Sequence, residues 1–442
     1  MIQKAERPKK VKILTWGCQM NVADSGHMAG ILQQDGYEIT QSEEAADVVL
    51  LNTCSIRELA EDKVFSKLGE LRERKEKEPN LVVGVCGCMA TNIKEAIFKR
   101  APHVDLLCGP RSSKHLPRML NHLFEKGKAQ VEIEPNEALE EFLPSVRESS
   151  FKAWVNVTQG CDERCTYCVV PNTRGDQASR QPESILKEVQ ELAQKGYKEI
   201  TLLGQTVNAY GLDLPRPILF SELIAQIHEI DGIEWIRFVT SHPKYVTADF
   251  IEMFAKYPKV APFLHLPFQA GSNRILKRMA RRYTIEEYLE KIEALKKVRP
   301  DLNLSSDIIV GFPDETEEEF EQTLQAYRQA QFDSSFCFKY SERPNTPAVH
   351  LKDNVPDEVK KERLNRLFDL QKEIAYFRNL QNLGKVHRVL FESVGKKEGR
   401  LLGHNQYNQV VIASGGPELV GQFKEVLIVE TGPMTLYGEI KN

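Results

Sequence analysis

The sequence predicts a mixed α/β chain in three parts: an N-terminal doubly wound parallel-sheet domain (residues 1–130), a central partial (β/α)6 barrel (151–380) and a small all-β barrel (381–442). Three observations lead there. Short apolar runs alternate with helical patterns as far as about Leu120, the pattern of parallel strands with crossover helices. Six further strand–helix units follow from Phe151 in one series, which suits a partial barrel better than a flat sheet. The last 62 residues carry 9 of the 26 glycines and only short β-rich runs.

The strand runs of the first part lie at 11–15, 47–52, 81–85 and 104–107. A polar, Glu-rich stretch with two prolines, 131–150, reads as a linker. Barrel strands are expected at 154–158, 200–203, 235–240, 263–267, 304–311 and 334–340, with helices at 183–195, 219–230, 248–256, 285–298 and 317–331. A long helix, 357–380, closes this part, and β runs at 386–391, 409–412 and 425–429 mark the last. Both parallel arrangements put function at the carboxyl ends of their strands.

Hydrophobic residues at 41% and charged residues at 28% describe an ordinary globular protein and exclude collagen-like or disordered classes. A net charge of −4 excludes nucleic-acid binding by bulk charge, so any RNA contact must be local. No apolar run approaches the roughly 18 residues of a membrane span, and the basic start MIQKAERPKKVK lacks a signal-peptide core. A cytoplasmic protein is expected. Nine cysteines, an odd number spread over 442 residues, point to metal ligands or reactive thiols rather than disulfides.

Cys161, Cys165 and Cys168 form Cys-x3-Cys-x2-Cys directly after the first barrel strand. On a helix these three would share a face as buried core residues. The segment QGCDERCTYC instead follows a strand and a glycine and places charges between its thiols, which suits a loop around a metal centre. Structural zinc asks for four closed ligands, and iron–sulfur clusters usually have four cysteines. Three leave one iron open to a small ligand. Cys18, Cys54 and Cys88 each end a predicted strand, in VKILTWGC, DVVLLNTC and LVVGVCGC, so all three line one sheet edge and can converge. Ser55-Ile56-Arg57-Glu58 has the capping-box pattern, which would set Cys54 before a helix whose positive end favours a thiolate. Cys86, Cys108 and Cys337 read as buried small apolar residues, with Cys108 close enough to the same edge to be an extra ligand.

These motifs resemble one family along nearly the whole chain. The triplet with Tyr167 before its last cysteine is similar to the signature of radical S-adenosylmethionine (SAM) enzymes, and CTYCVVPNTRG to their methylthiotransferase branch. TWGCQMN (15–21), LNTCSIRE (51–58), GCMA (87–90) and PNTRG (171–175) resemble the methylthiotransferases acting on tRNA adenosine. The likeness continues through LLGQTVNAYG (202–211), RFVTSHP (237–243), HLPFQAGS (265–272) and SDIIVGFPDET (306–316), and the last part looks like a TRAM domain, a small RNA-binding barrel. Thr206, Asp314, Asn345 and His404 depart from the family pattern, where Asn, Gly, Gly and Arg are expected. None of these departures is expected to touch a cysteine.

The resemblance implies a radical SAM barrel and two 4Fe-4S clusters. One would sit on Cys161, Cys165 and Cys168 and bind SAM at its open iron; an auxiliary cluster on Cys18, Cys54 and Cys88 would supply sulfur. Tyr167 would pack on the SAM adenine, and Gly204 and Gln205 would meet its methionyl part. The implied reaction adds a methylthio group to C2 of isopentenyl-adenosine beside the anticodon of tRNA, with a flavodoxin- or ferredoxin-like electron donor, no membrane partner and a monomeric enzyme. Alternatives are a methylthiotransferase acting on ribosomal protein or another tRNA nucleoside, and a non-catalytic metal-containing RNA-binding protein. The last 62 residues carry seven Lys/Arg against six Asp/Glu, so tRNA docking there rests on the likeness alone. Arg274, Arg278, Arg281 and Arg282 fall on one predicted helical face beside Lys277, either a solvated face or a phosphate contact.

Overall fold

The structure, a computed structural model, describes residues 7–55, 58–142 and 144–441. Its first part is a six-stranded, wholly parallel sheet ordered Glu38–Ile39, Lys10–Trp16, Val48–Thr53, Val82–Gly87, Leu106–Cys108 and Gln130–Glu132. The four expected strands are its centre. Val48–Thr53 and Val82–Gly87 are buried along their whole length, as parallel strands covered on both faces must be. Separate apolar clusters fill the two faces, one under helix Glu58–Lys77 and one under Gln19–Gln34 and Leu116–Lys126. The last strand runs two residues into the stretch read as a linker. The rest of that stretch is tied down at both sides: Glu137 meets Ser112, Lys114 and His115, while Arg147 pairs with Glu188 at 2.6 Å and donates to the Trp154 carbonyl.

The central part holds six parallel strands in two ladders of three. One is Lys152–Asn156, Glu199–Leu203 and Trp235–Phe238; the other is Phe263–His265, Asn303–Val310 and Ser334–Lys339. A single parallel bridge, Ile236 to Val260, joins them at the seam. Among the described residues no ladder closes the last strand onto the first, so the barrel is partial. Alternation divides each strand: Ala153, Val155, Ile200, Leu202, Ile236 and Phe238 pack outward into the helical layer. Helices Pro182–Gln194, Phe220–His228, Ala248–Lys256, Ile285–Val298, Glu317–Ala330 and Asp357–Leu380 lie where the periodicity placed them, give or take a turn.

The C-terminal part is a closed barrel ordered Val386–Val394, Arg400–Asn405, Val410–Ser414, Leu436–Ile440 and Phe423–Thr431. It seats on the amino-terminal ends of the central strands. Trp235 meets Phe423 edge-on at 4.6 Å, Lys152 pairs with Glu392 at 2.6 Å, and Arg237 donates to the carbonyls of Asn405 and Gln406. The opposite, carboxyl ends are covered in part by the first domain. There Met20 and Ala23, on the helix capped by Cys18, pack with Trp154, Leu203 and Val239 from the inner face of the first three strands. No described helix is long and apolar enough to cross a membrane.

Candidate functional site

The Cys161 loop leaves the first barrel strand through Gly160, which stands at φ +79°; a Cβ there would overlap the Asp176 carbonyl and the Arg111 guanidinium. The Gly160 N–H donates to the Gln205 side-chain oxygen, and the Cys161 N–H to the Gly175 carbonyl at 3.1 Å. Each thiol meets a different element. Cys161 Sγ lies 3.2 Å from Thr206 Oγ1, Cys165 Sγ accepts from Arg281 at 3.5 Å, and Cys168 Sγ accepts from the Val170 N–H at 3.5 Å. Burial pushes the Cys161 thiol up and the Cys168 thiol up to about 12. Clustered thiols, two buried and one half-buried, with one cation beside them suit a positively charged inorganic core, which would ionise them outright.

Gln205 therefore braces the loop before Cys161, and Gly204 is packed so that a Cβ would overlap the Thr158 methyl. Tyr167 packs on the barrel core, where the Arg281 guanidinium, Cys165 and Cys168 share its surroundings. One expectation is overturned here: Thr206 does touch a cysteine. Asp314 and Asn345, where glycine was expected, stand at φ +68° and +65°, a region Asp and Asn tolerate better than other side chains. His404 sits 3.1 Å from Glu392, inside the contact between the two barrels.

The second trio converges through register. Trp16, Thr53 and Gly87 are partners across three adjacent strands, so Cys18, Cys54 and Cys88 leave the sheet side by side. Gly87 stands at φ +83°, where a Cβ would overlap the Asn52 side chain. Cys18 is the N-cap of helix Gln19–Gln34, and its N–H donates to Asn21 Oδ1 at 3.3 Å. A hydrogen bond from Cys54 and the charge of Arg174, against the cost of burial, lower the Cys18 thiol to about 6. The backbone N–H groups of Asn21 and Met20 at the helix start add smaller contributions in the same direction. Ile56 and Arg57 of the expected capping box lie outside the described residues, and Ser55 donates to Glu61 at 2.8 Å.

Arg174 is the residue sequence reasoning passed over, although it stood in the PNTRG segment. Buried at the end of the short helix Val170–Arg174, it donates to Cys88 Sγ at 3.3 Å and pairs with Asp24 at 2.6 Å. The backbone of the next residue, Gly175, receives the Cys161 N–H. One turn of chain therefore touches both trios. Cys86 and Cys108 are paired neighbours facing the core of the first sheet, as expected, and Cys337 lies between Ser335 and Gln371. The arginine face does not form. Helix Asn273–Arg278 ends at Met279, Ala280 turns at φ +56°, and Arg281 is drawn inward to Cys165, while Arg274 is held by Glu319 and Arg278 by Asp314.

Beyond both trios, the buried polar atoms Asn156 Oδ1, Glu163 Oε2, Ser241 Oγ, His242 Nε2 and Gln269 Oε1 have no hydrogen-bond partner among the described residues. Asn156, Ser241, His242 and Gln269 lie at or just past the carboxyl ends of barrel strands, so they furnish donors and acceptors for a polar ligand. Among the described residues no three His, Cys, Asp or Glu close to the spacing of a single metal ion. A four-iron cluster asks for thiols standing apart, since each binds a different iron.

Three family models match the chain: "Uncharacterized protein family UPF0004" over residues 10–109, "Radical SAM superfamily" over 155–327 and "TRAM domain" over 380–441. The tRNA-2-methylthio-N(6)-dimethylallyladenosine synthase of Carboxydothermus hydrogenoformans is 45% identical over 96% of this chain and 97% of its own. The chain belongs to this synthase family. The synthase of the same name from Geobacillus kaustophilus is 47% identical over 99% of this chain and 83% of its own, and that from Sulfurihydrogenibium sp. 46% over 98% and 99%. The readings as a ribosomal-protein methylthiotransferase or a non-catalytic RNA-binding protein are not favoured. Among solved structures, the radical SAM methyltransferase TsrM from Kitasatospora setae matches at a TM-score of 0.56 and 13% identity, over 88% of this chain and 79% of that one. The cobalamin-dependent radical SAM enzyme OxsB matches at 0.53 and 14%, over 83% and 56%. These two show the fold. The family's radical SAM domain carries with it SAM and a 4Fe-4S cluster.

Proposed function

We propose that this chain adds a methylthio group to C2 of isopentenyl-adenosine beside the anticodon of tRNA, using two 4Fe-4S clusters. Cys161, Cys165 and Cys168 would hold the radical SAM cluster, and Cys18, Cys54 and Cys88 the auxiliary one. The observation that carries this is the joint placement of the trios: each emerges at the carboxyl edge of its own parallel strands, and Arg174 with Gly175 touches both. When bound, the clusters and SAM would relay the donor's electron and supply the hydrogen-abstracting radical, the methyl group and the sulfur.

The protein's own groups bind, orient and exclude water. Three thiolates at the barrel mouth would hold three irons of a cluster and leave one open for SAM. Gln205 braces the loop beneath them, and Tyr167 and Gly204 shape the wall on which SAM would rest. Arg174 and the Cys18 helix start stabilise negative charge on the second trio. Met20 and Ala23 pack on Trp154, Leu203 and Val239 and cover that side of the lumen. One chain contributes every thiol, so a monomer suffices; the electron comes from a flavodoxin- or ferredoxin-like donor in the cytoplasm, and the TRAM part assists in holding tRNA.

Anaerobic reconstitution followed by reaction with isopentenylated tRNA tests the proposal. Mass spectrometry of digested nucleosides should show the methylthiolated product. Cluster-replete protein that cleaves SAM yet leaves that nucleoside unchanged would refute it.

A further inference from the structure

The inner face of the partial barrel is covered unevenly. Trp154, Leu203 and Val239 on the first three strands lie under Met20 and Ala23 of the first domain. The last strand, Ser334–Lys339, is different. Its Ser335 Oγ lies 3.0 Å from the Tyr327 hydroxyl on an outer helix, and Cys337 faces Gln371 of the closing helix. Side chains alternate along a strand, so Phe336 and Phe338 point the other way, into the lumen. They are 53% and 39% exposed, large apolar rings turned into the lumen and only partly covered by the described residues.

Polar groups flank the pair. Phe336 is the register partner of Asp307, and the His265 ring stands 6.0 Å from it at 71°. His265 is itself aimed by Ser305 at 2.9 Å and Asp307 at 3.5 Å. An aromatic platform with a donor–acceptor pair at its rim is suited to a planar base whose edge hydrogen-bonds and whose substituent is apolar. The helix that packs on the inner face of the first three strands carries Cys18 at its start, so the platform and the trio proposed to donate sulfur face the same lumen.

We infer that Phe336 and Phe338, with His265 and Asp307 at their edge, form the subsite that takes the splayed alkenyl-adenine of the substrate tRNA. The inference rests on the function proposed above. SAM also carries an adenine, so the test must separate the two sources.

Full-length protein, reconstituted anaerobically, is titrated with anticodon stem–loop RNAs carrying either dimethylallyl-adenosine or plain adenosine, and separately with SAM. Changing both rings together, Phe336→Ala with Phe338→Ala, should weaken binding of the alkenylated RNA by about tenfold or more and shrink its preference over the plain RNA. Phe336→Leu with Phe338→Leu, which keeps apolar bulk, should lie between. SAM affinity should shift by less than about twofold. An equal loss of SAM affinity would assign the platform to the SAM adenine and overturn the inference, as would unchanged preference between the two RNAs in the double-alanine protein. If the unaltered protein neither prefers nor methylthiolates alkenylated RNA, the functional reading has failed; if it does both and the variants bind alike, the platform alone has.

Discussion

A single buried cation holds the two trios of cysteines in one frame. Arg174 donates to Cys88 and pairs with Asp24, both from the first domain, while its own backbone belongs to the Cys161 loop. Removing one partner of a buried pair strands the other, so Arg174→Ala should lower stability by about 3–5 kcal/mol in denaturant unfolding. Arg174→Lys keeps the charge without the two-pronged contact. That variant is expected to fold and release 5′-deoxyadenosine, yet to form methylthiolated product at least about tenfold more slowly and to show an altered electron paramagnetic resonance spectrum of the auxiliary cluster. Under the proposed assignment the two cysteine trios separate two chemistries. Replacing Cys161, Cys165 and Cys168 with Ala should abolish SAM cleavage and remove about half of the iron. Replacing Cys18, Cys54 and Cys88 should remove the other half and leave 5′-deoxyadenosine release intact. Cys86→Ala and Cys108→Ala should keep full iron content, because both thiols face the core of the first sheet; loss of a cluster in either would reassign the ligands.

Helix ends carry much of the local specificity of the central part. Thr316 caps Glu317–Ala330, accepting from the Glu319 N–H, and Glu319 returns to the Thr316 N–H at 2.9 Å. The same carboxylate takes Ser272 at 2.9 Å and both prongs of Arg274 at 2.7 Å, which locks helix Asn273–Arg278 to the next unit. Despite burial, these donors hold Glu319 at about 2, against an ordinary value of 4.5. Its folded pKa is depressed, so its stabilisation is full above about 4.5 and fades as pH falls toward 2. Glu319→Gln should cost about 1–3 kcal/mol at pH 7, with the gap to the unaltered protein narrowing in unfolding curves taken at successively lower pH. An equal gap at every pH would refute the charge-based account. This pairing also explains why Arg274 is not a free phosphate contact, a point that helical spacing could not reveal. Elements missed in the sequence were short or mixed: Glu38–Ile39 has two residues, and Arg400–Asn405 and Leu436–Ile440 each contain a glycine where a neighbouring strand passes too close for a Cβ.

At the scale of the molecule, the two flanking parts close opposite ends of one partial barrel. The C-terminal barrel has a structural part to play, because the ends it covers hold a buried ion pair, Arg237 with Glu199 at 3.0 Å. Truncation after Leu380 would take away the Asn405 and Gln406 carbonyls from Arg237 and Phe423 from Trp235. The truncated chain is expected to melt well below the full one or to aggregate, as thermal unfolding and size-exclusion chromatography would show; equal melting of a monodisperse truncation would refute the structural role. The order of strands and helices, the two cysteine trios and their place at strand ends were legible in the sequence, because strand alternation, helix period and the step from strand to loop are written over a few neighbouring residues. Which surfaces meet was not. Arg174 reaching Cys88, Thr206 beside Cys161 and Arg281 drawn to Cys165 join residues 86, 45 and 116 positions apart, and the open rings of Phe336 and Phe338 likewise depend on how distant elements pack. Only packing of the three parts, driven by burial of their apolar faces and completed by a few buried charges, brought those residues to one lumen.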